Sequence, residues 1–246
     1  MQNLLLIGIG TGNPAHVTAQ AARALNRADV ILIPRKGAEK SDLAALRRAI
    51  CAELVTNPAT RIVEFDLPVR DPAIADYRAR VEAWHDAIAR CWAEACAPHA
   101  PQTVALLVWG DPSLYDSTLR IAGRLSPAPQ LTVVPGITSL QALTAAHRIP
   151  LNDIGAPVVI TTGRQLRDHG WPPAADTVAV MLDGEMSFAT LDPAGIQIWW
   201  TAYAGMSEEI SVAGPLAEVA EEIRTKRAAA RERHGWIMDI YLMRRG

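Results

Sequence analysis

The sequence predicts an α/β protein made of two domains, and three observations carry that expectation. Short apolar runs alternate with helical periodicity through the first half of the chain, which is the pattern of a mostly parallel sheet with covering helices. Strand-like runs then outnumber helices, as in an α+β domain with a mixed sheet. The change falls near residue 135, which divides the chain into 1–135 and 136–246. With 246 residues, half of them apolar, there is material for two cores.

Leu4-Leu5-Leu6-Ile7-Gly8-Ile9 is a buried strand running into glycines, and Val17, Ala21, Ala24, Leu25 and Ala28 recur at helical spacing. Val30 to Ile33 is a second strand, stopped at Pro34. Leu43, Leu46, Ile50 and Leu54 mark a helix, and Arg61 to Phe65 a strand. Tyr77, Val81, Trp84, Ile88, Trp92 and Ala95 follow one face of a long helix. Thr103 to Val108 is an apolar strand leading into Gly110-Asp111-Pro112. After the turn Ser126-Pro127-Ala128-Pro129 comes a strand from Leu131 to Val134. The second domain reads as a helix Thr138 to His147, then strands at Val158 to Thr161, Val178 to Met181, Ile196 to Thr201 and Ile210 to Val212. A helix from Pro215 to about Arg231 and a strand from Trp236 to Met243 complete it.

A net charge of −2 gives no electrostatic reason to expect a nucleic-acid partner. Cys51, Cys91 and Cys96 are odd in number and lack metal-ligand spacing, so reduced thiols are expected, with no disulfide framework and no metal site. Met1 to Gly10 lacks the basic flank of a signal peptide and reads as a strand. No apolar run approaches the roughly 20 residues of a membrane span. The expected location is the cytoplasm, without membrane attachment.

Three loops carry the chemistry. Gly8-Ile9-Gly10-Thr11-Gly12-Asn13 joins a strand to a helix, where glycine permits sharp turns and close approach of a ligand. A dinucleotide site would want glycine where Asn13 stands and an acid closing the second strand. That strand ends Ile33-Pro34-Arg35, Asp29 precedes it, and no Walker lysine is present. Trp109-Gly110-Asp111-Pro112-Ser113-Leu114-Tyr115 lies at the carboxyl end of a buried strand, where ligands of open α/β sheets collect. Taken alone it also fits an Asx-turn. Pro135-Gly136-Ile137-Thr138-Ser139 is a strand-to-helix junction whose hydroxyls could cap a helix or bond a ligand.

In this order and at these distances, the glycine loop, GDPxxY and PGITS resemble the tetrapyrrole methylase family. The resemblance covers essentially the whole chain. It implies two α/β domains of the tetrapyrrole methylase type with the active-site cleft between them, and S-adenosyl-L-methionine bound there, leaving as S-adenosyl-L-homocysteine. It puts that cofactor beside Trp109, Gly110 and Asp111, at Thr138 and Ser139, at Met181 and at Ala204, with Thr11 lining the same place. It also implies a homodimer acting on an anionic tetrapyrrole.

Longer stretches resemble the members of cobalamin biosynthesis that methylate C1 of precorrin-5 and release acetate. These are Gly110 to Ile121, Pro135 to Asn152, Ile160 to Leu166, Val180 to Gly184 and Trp199-Trp200. A sister methylase acting at another ring carbon would share the same cofactor motifs. From other classes, a nucleotide-dependent oxidoreductase and a non-catalytic tetrapyrrole-binding module are the alternatives. The chain departs from the usual GPGD of the first loop, with Thr11 and Asn13 in place of the proline and the acid.

Methyl transfer from a sulfonium needs alignment and exclusion of water more than a nucleophile. Met181 suits such a site as a polarizable wall, though a strand methionine also fits core packing. Loss of an acetyl unit needs a water and a base. Asp111 and Tyr115 are the catalytic candidates, with Asp116 next; His147 reads as a helix-end cap. The substrate's carboxylates call for arginine forks. Arg35 and Arg164 follow apolar strands and are the candidates, alongside Lys36 and Arg167, with Arg120 and Arg148 beside the motif helices. Arg224 to Arg233, interleaved with glutamates, reads as a solvated helix face. Trp84 and Trp92 read as core anchors or dimer contacts, and Trp199 and Trp200 as opposite faces of one strand.

Overall fold

A computed structural model describes residues 1–35 and 41–246 of the chain, and it divides into two compact units, Met1–Thr138 and Ser139–Gly246. In the first unit, β1 (Asn3–Gly8), β2 (Val30–Arg35), β3 (Arg61–Asp66), β4 (Thr103–Val108) and β5 (Gln130–Val134) form one sheet. Its order is β3-β2-β4-β1-β5 and every pairing is parallel. All carboxyl ends therefore lie along one edge. The inner strands are apolar on both faces because both faces are covered. Leu5 and Ile7 of β1 join Ala21, Leu25 and Ile50 in one core, and Leu4 and Leu6 join Ile88, Trp92 and Ile121 in another. The covering helices are α1 (Ala19–Leu25), α2 (Ser41–Leu54), α3 (Tyr77–Cys96) and α4 (Thr118–Ala122). Thr18 and Asp76 cap α1 and α3, accepting from Ala21 N (3.1 Å) and Ala79 N (2.7 Å). Trp92 is buried in the core, whereas Trp84 is half-buried and donates its indole N–H to the Pro68 carbonyl (2.6 Å).

The second unit holds α5 (Ser139–His147), β6 (Val158–Thr162), α6 (Gly163–His169), β7 (Thr177–Met181), β8 (Ile196–Ala202), β9 (Ile210–Pro215), α7 (Leu216–His234) and β10 (Asp239–Arg245). The sheet order is β6-β7-β10-β8-β9, parallel only between β6 and β7. The second unit thus has a mixed sheet. Trp200 is fully buried and Trp199 half-buried, with Arg244 over the Trp199 ring at 5.3 Å.

Several boundaries differ from the sequence reading: β2 continues through Pro34 to Arg35, β9 extends beyond Val212 to Pro215, and helix α6 follows β6 where none was expected. Two further differences have a plain cause. Helix α7 runs past Arg231 to His234, since alanines and arginines sustain a helix until Gly235 takes the left-handed C-cap (φ 72°). The last strand begins at Asp239 because the three preceding residues clasp Tyr203. Its hydroxyl donates to the Trp236 carbonyl (2.6 Å) and its N–H to the Met238 carbonyl (2.8 Å).

Candidate active site

In the first unit the three sequence loops converge at the carboxyl ends of β1, β4 and β5. They meet backbone to backbone. Gly10 and Gly110 form an isolated antiparallel bridge, Gly110 N donating to Gly10 O at 2.8 Å. A Cβ on Gly136 would stand 2.1 Å from the Gly110 oxygen, and one on Gly8 would stand 2.6 Å from Gly136 N. No side chain fits there, so these two glycines are fixed by proximity. Gly110 has φ 60°, and a Cβ there would meet only Thr138, at 3.6 Å. It leaves a shallow cradle bordered by Thr138, a place where a ligand can lie against backbone.

Asp111 ties the second loop to the third. Its carboxylate accepts from Ser113 N (2.8 Å), Ser113 Oγ (2.5 Å) and Gly136 N (2.9 Å). Burial alone would raise this carboxyl. The hydrogen bonds from Ser113 Oγ, Gly136 N–H and Ser113 N–H outweigh it and hold the group below the usual carboxylate range. A carboxylate so held is a strong clamp and a weak base. Tyr115 follows with φ 49° and a side chain that is partly exposed, and burial of the rest raises its phenol. Non-glycine residues in this region are uncommon and gather at functional sites. Asp116 accepts from Thr118 N (2.6 Å) and from the Thr118 hydroxyl.

Thr11 is buried, its hydroxyl 3.0 Å from His16 Nδ1. Asn13 caps the short helical turn Pro14–His16, accepting from Ala15 N at 2.9 Å. Asparagine and aspartate fill that role about equally. The Trp109 ring carries the Arg47 guanidinium over its face, 5.1 Å from the centroid.

The remaining candidates belong to the second unit, apart from the arginine candidates Arg35 and Arg120. The register pairs Thr162 with Met181, and β10 pairs Tyr241 with Val180 and Asp239 with Ala202. The carboxyl ends of β6, β7 and β8 therefore share one edge of the sheet. Arg164, Met181 and Ala204 lie at that edge. Met181 is half-buried and Ala204 buried, and each has a left-handed neighbour, Leu182 (φ 53°, 67 % exposed) and Tyr203 (φ 51°). Arg164 is exposed at the start of α6, and Ser139 opens α5.

His147 Nε2 lies 3.2 Å from the Trp200 carbonyl and 2.9 Å from Thr201 Oγ1. Burial lowers its pKa, so it sits as a neutral donor to that carbonyl. Arg35 ends β2 with its guanidinium forked onto Asp66 (3.0 and 3.1 Å), while Lys36 lies outside the described residues. Arg167 pairs with Glu185 (2.6 Å), and Arg120 donates to the Asp116 carbonyl (3.0 Å).

Two residues were missed from the sequence. Asp183, in the Val180 to Gly184 stretch, is buried and accepts from Ser187 N (2.6 Å), Ser187 Oγ (3.0 Å), Glu185 N (3.0 Å) and the Tyr241 hydroxyl (2.6 Å). It organises the turn after Met181. Arg47 is buried beside Trp109. Its signal was present, since Leu43, Arg47, Ile50 and Leu54 form one helical stripe in which a charge takes an apolar position.

The chain is similar in sequence and structure to known proteins. Residues 3–220 match the model of the tetrapyrrole (corrin/porphyrin) methylases. A precorrin-6A synthase [deacetylating] from Sinorhizobium sp is 50 % identical over 252 residues, covering 100 % of this chain and 96 % of that protein. The crystal structure of a putative cobalamin synthesis related protein (CobF) from Corynebacterium diphtheriae superposes with a TM-score of 0.84 at 36 % identity, over 100 % of this chain and 99 % of that one. A uroporphyrin-III C-methyl transferase from Thermus thermophilus, complexed with S-adenyl homocysteine, shares the fold at a TM-score of 0.58 and 21 % identity, over 98 % of this chain and 96 % of that one. With a family model spanning most of the chain and half of all residues shared with one relative end to end, the protein belongs to the tetrapyrrole (corrin/porphyrin) methylase family.

Proposed function

We infer that this chain is an S-adenosyl-L-methionine-dependent C-methyltransferase of cobalamin biosynthesis. It methylates C1 of precorrin-5 and releases acetate, the activity of a deacetylating precorrin-6A synthase. The observation that carries this reading is the full-length 50 % identity with an enzyme of that name. The meeting of the three glycine loops, with Asp111 tying the second to the third, supports it from the structure. When bound, S-adenosyl-L-methionine supplies an activated methyl group on sulfur; the overall change consumes one water and yields S-adenosyl-L-homocysteine and acetate.

The chain's own contribution is placement. Trp109, Gly110, Asp111 and Thr138, with Thr11 beside them, and Ser139, Met181 and Ala204 are assigned to the cofactor. Gly110 fits that assignment by its open cradle, and Met181 by its half-buried, polarizable side chain at a strand end. Asp111 works by fixing the Ser113 and Gly136 amides. Tyr115, whose phenol stays protonated at neutral pH, is assigned to orienting the water or the acyl oxygen as a hydrogen-bond donor. Arg35 and Arg164 are assigned to the substrate's carboxylates. Arg35 would exchange its exposed Asp66 for one of them.

A homodimer and a cytoplasmic location complete the reading. The thiols suit a reducing compartment, since burial pushes Cys51 up to about 11 and raises Cys91 and Cys96.

Incubation with precorrin-5 and S-adenosyl-L-methionine, followed by mass spectrometry and acetate assay, tests the function. One added methyl with one acetate per turnover is expected. A methyl without acetate makes the chain a sister methylase, and an unchanged mass refutes the methyltransferase reading.

A further inference from the structure

Among the described residues the first unit has a partly open cavity of about 210 Å³ at the carboxyl ends of β2, β3 and β4, beside the loop that carries Asp111 and Tyr115. Its walls are mostly aliphatic and aromatic side chains, including Phe65, Trp84 and Trp109. Two charged residues line it, Arg47 and Asp116.

Arg47 is the unusual one. Its side chain is buried, its Nε donates to the Leu107 carbonyl (3.2 Å), and its Nη1 to the Leu43 carbonyl (3.3 Å). Its Nη2 makes no hydrogen bond, and no carboxylate lies within ion-pairing distance of the guanidinium, among the described residues. Burial lowers the pKa of Arg47 to about 10, partly offset by the more distant Asp116, so the side chain remains a cation. A buried cation without a contacting anion is costly, and proteins retain one where a ligand supplies the countercharge.

The ligand's chemistry follows from the walls. A guanidinium with one free edge fits a carboxylate, and the apolar lining fits a short alkyl chain behind it. Asp116 opposes a second anion, but its own charge is already shared with the Thr118 N–H and hydroxyl.

We propose that this cavity is a binding subsite for a short alkyl carboxylate, with Arg47 as its countercharge and Asp116 as the group that limits its affinity. Two sources share that chemistry: a peripheral acetate or propionate arm of the macrocycle, and the acetate set free by the reaction. The choice between them rests on the methyltransferase reading, whereas the subsite rests on Arg47 and its cavity.

The experiment titrates the protein, its tryptophans isotope-labelled, with sodium propionate and with propionamide, following the indole N–H signals by NMR. Trp109 is assigned from its loss in Trp109→Phe. A saturable shift with propionate and none with propionamide is expected. Arg47→Met weakens binding about tenfold or more, the loss of a charge-assisted hydrogen bond. Asp116→Asn, a loop change that spares the core, tightens it by about threefold or more as the repulsion goes. Equal response to the amide, no saturable shift, or an unaltered Asp116→Asn affinity overturns the proposal.

These titrations need no turnover, so they stand apart from the test of function. In the methyl-transfer assay, a raised KM with kcat retained in Arg47→Met identifies the substrate arm. An unchanged KM with acetate inhibition lost identifies the product. A folded Arg47→Met that binds no propionate yet keeps both properties overturns the subsite's part in the reaction.

Discussion

Each unit buries an arginine, and the two solve the problem of a buried charge in opposite ways. In the second unit Arg227 of α7 reaches Asp239 at the start of β10, Nε to Oδ2 at 2.9 Å, with both side chains under a tenth exposed. Trp200 Nε1 donates to the same Oδ2 (2.9 Å), and Arg227 Nη2 also reaches the Asp183 carbonyl (3.1 Å). The charge is matched and the network satisfied within the protein. In the first unit Arg47 meets two neutral carbonyls, an indole face and a cavity. An internal partner makes a strut; a missing one makes a receptor. Burial is nearly equal at the two sites, so the partner sets the difference.

The largest way to break that contrast is to remove one half of the strut. Asp239→Asn or Arg227→Met leaves a buried ion unmatched, and each should destabilise the protein by about 3–5 kcal/mol. Denaturant unfolding of the single variants measures it. If both lose less than about 1 kcal/mol, the network contributes nothing special. Replacing both partners together should cost less than the sum of the singles, because no orphan charge is left.

The loops supply the next test, since the two units also fix their strand ends differently. The turn after Met181 is held by the side chain of Asp183, whereas the first unit's loops are held by the Asp111 side chain and, in addition, by glycines packed directly against backbone. Gly136→Ala puts a Cβ where the Gly110 oxygen stands, and backbone cannot swing aside as a side chain can. A cost of about 1–3 kcal/mol is expected, with a larger loss of methyl transfer than of stability. Full activity in a folded Gly136→Ala variant would contradict the assignment of these loops to the cofactor.

Arg47→Met should be far milder than Arg227→Met. No contacting carboxylate is stranded, and the apolar side chain suits the stripe formed by Leu43, Ile50 and Leu54. A stability change within about 1 kcal/mol is expected, measured in the same unfolding series. A loss equal to that of Arg227→Met would mean that Arg47 is a strut as well, and the contrast would fail.

The sequence made the framework and the three loops legible, because continuous apolar runs, glycines and prolines act locally. Leu4 to Ile7 reads as a strand buried on both faces because glycines close the run before a helix could complete two turns. What Asp183, Asp239 and Arg227 do was not legible, since Asp183 meets Arg227 and Tyr241 from 44 and 58 residues away, Asp239 meets Trp200 from 39, and the Arg227–Asp239 pair joins a helix to the next strand across 12 residues. Arg224 to Arg233 reads as one solvated face, yet Arg227 is 6 % exposed. On a helix that polar, a single inward residue leaves no periodicity to find. Asp111 was legible as a residue of the second loop, but its accepting role needs the Gly136 amide, which the meeting of loops provides. Arg47 was readable as a charge on an apolar stripe; its cavity was not.

The smallest effect separates a half-buried histidine from the two buried cations. Burial lowers the pKa of His147, with the hydrogen bond to the Trp200 carbonyl and the Glu209 charge opposing it. A histidine whose folded pKa lies below its unfolded value of about 6.5 favours the neutral ring in the native state. Its stabilising contribution is therefore whole above that pH and fades as pH falls from there toward the folded value. His85 is shifted in the same direction, first by burial and then by Arg124, so two residues share the window. Stability measured between pH 8 and pH 5 should fall with acidification, and His147→Gln should flatten part of the slope while His85 keeps the rest. A slope unchanged in His147→Gln would show that folding leaves the ring's pKa where it was, against the direction its burial sets. A steeper fall in the variant would show that the ring is held charged while folded, a half-buried cation beside the buried Arg47 and Arg227.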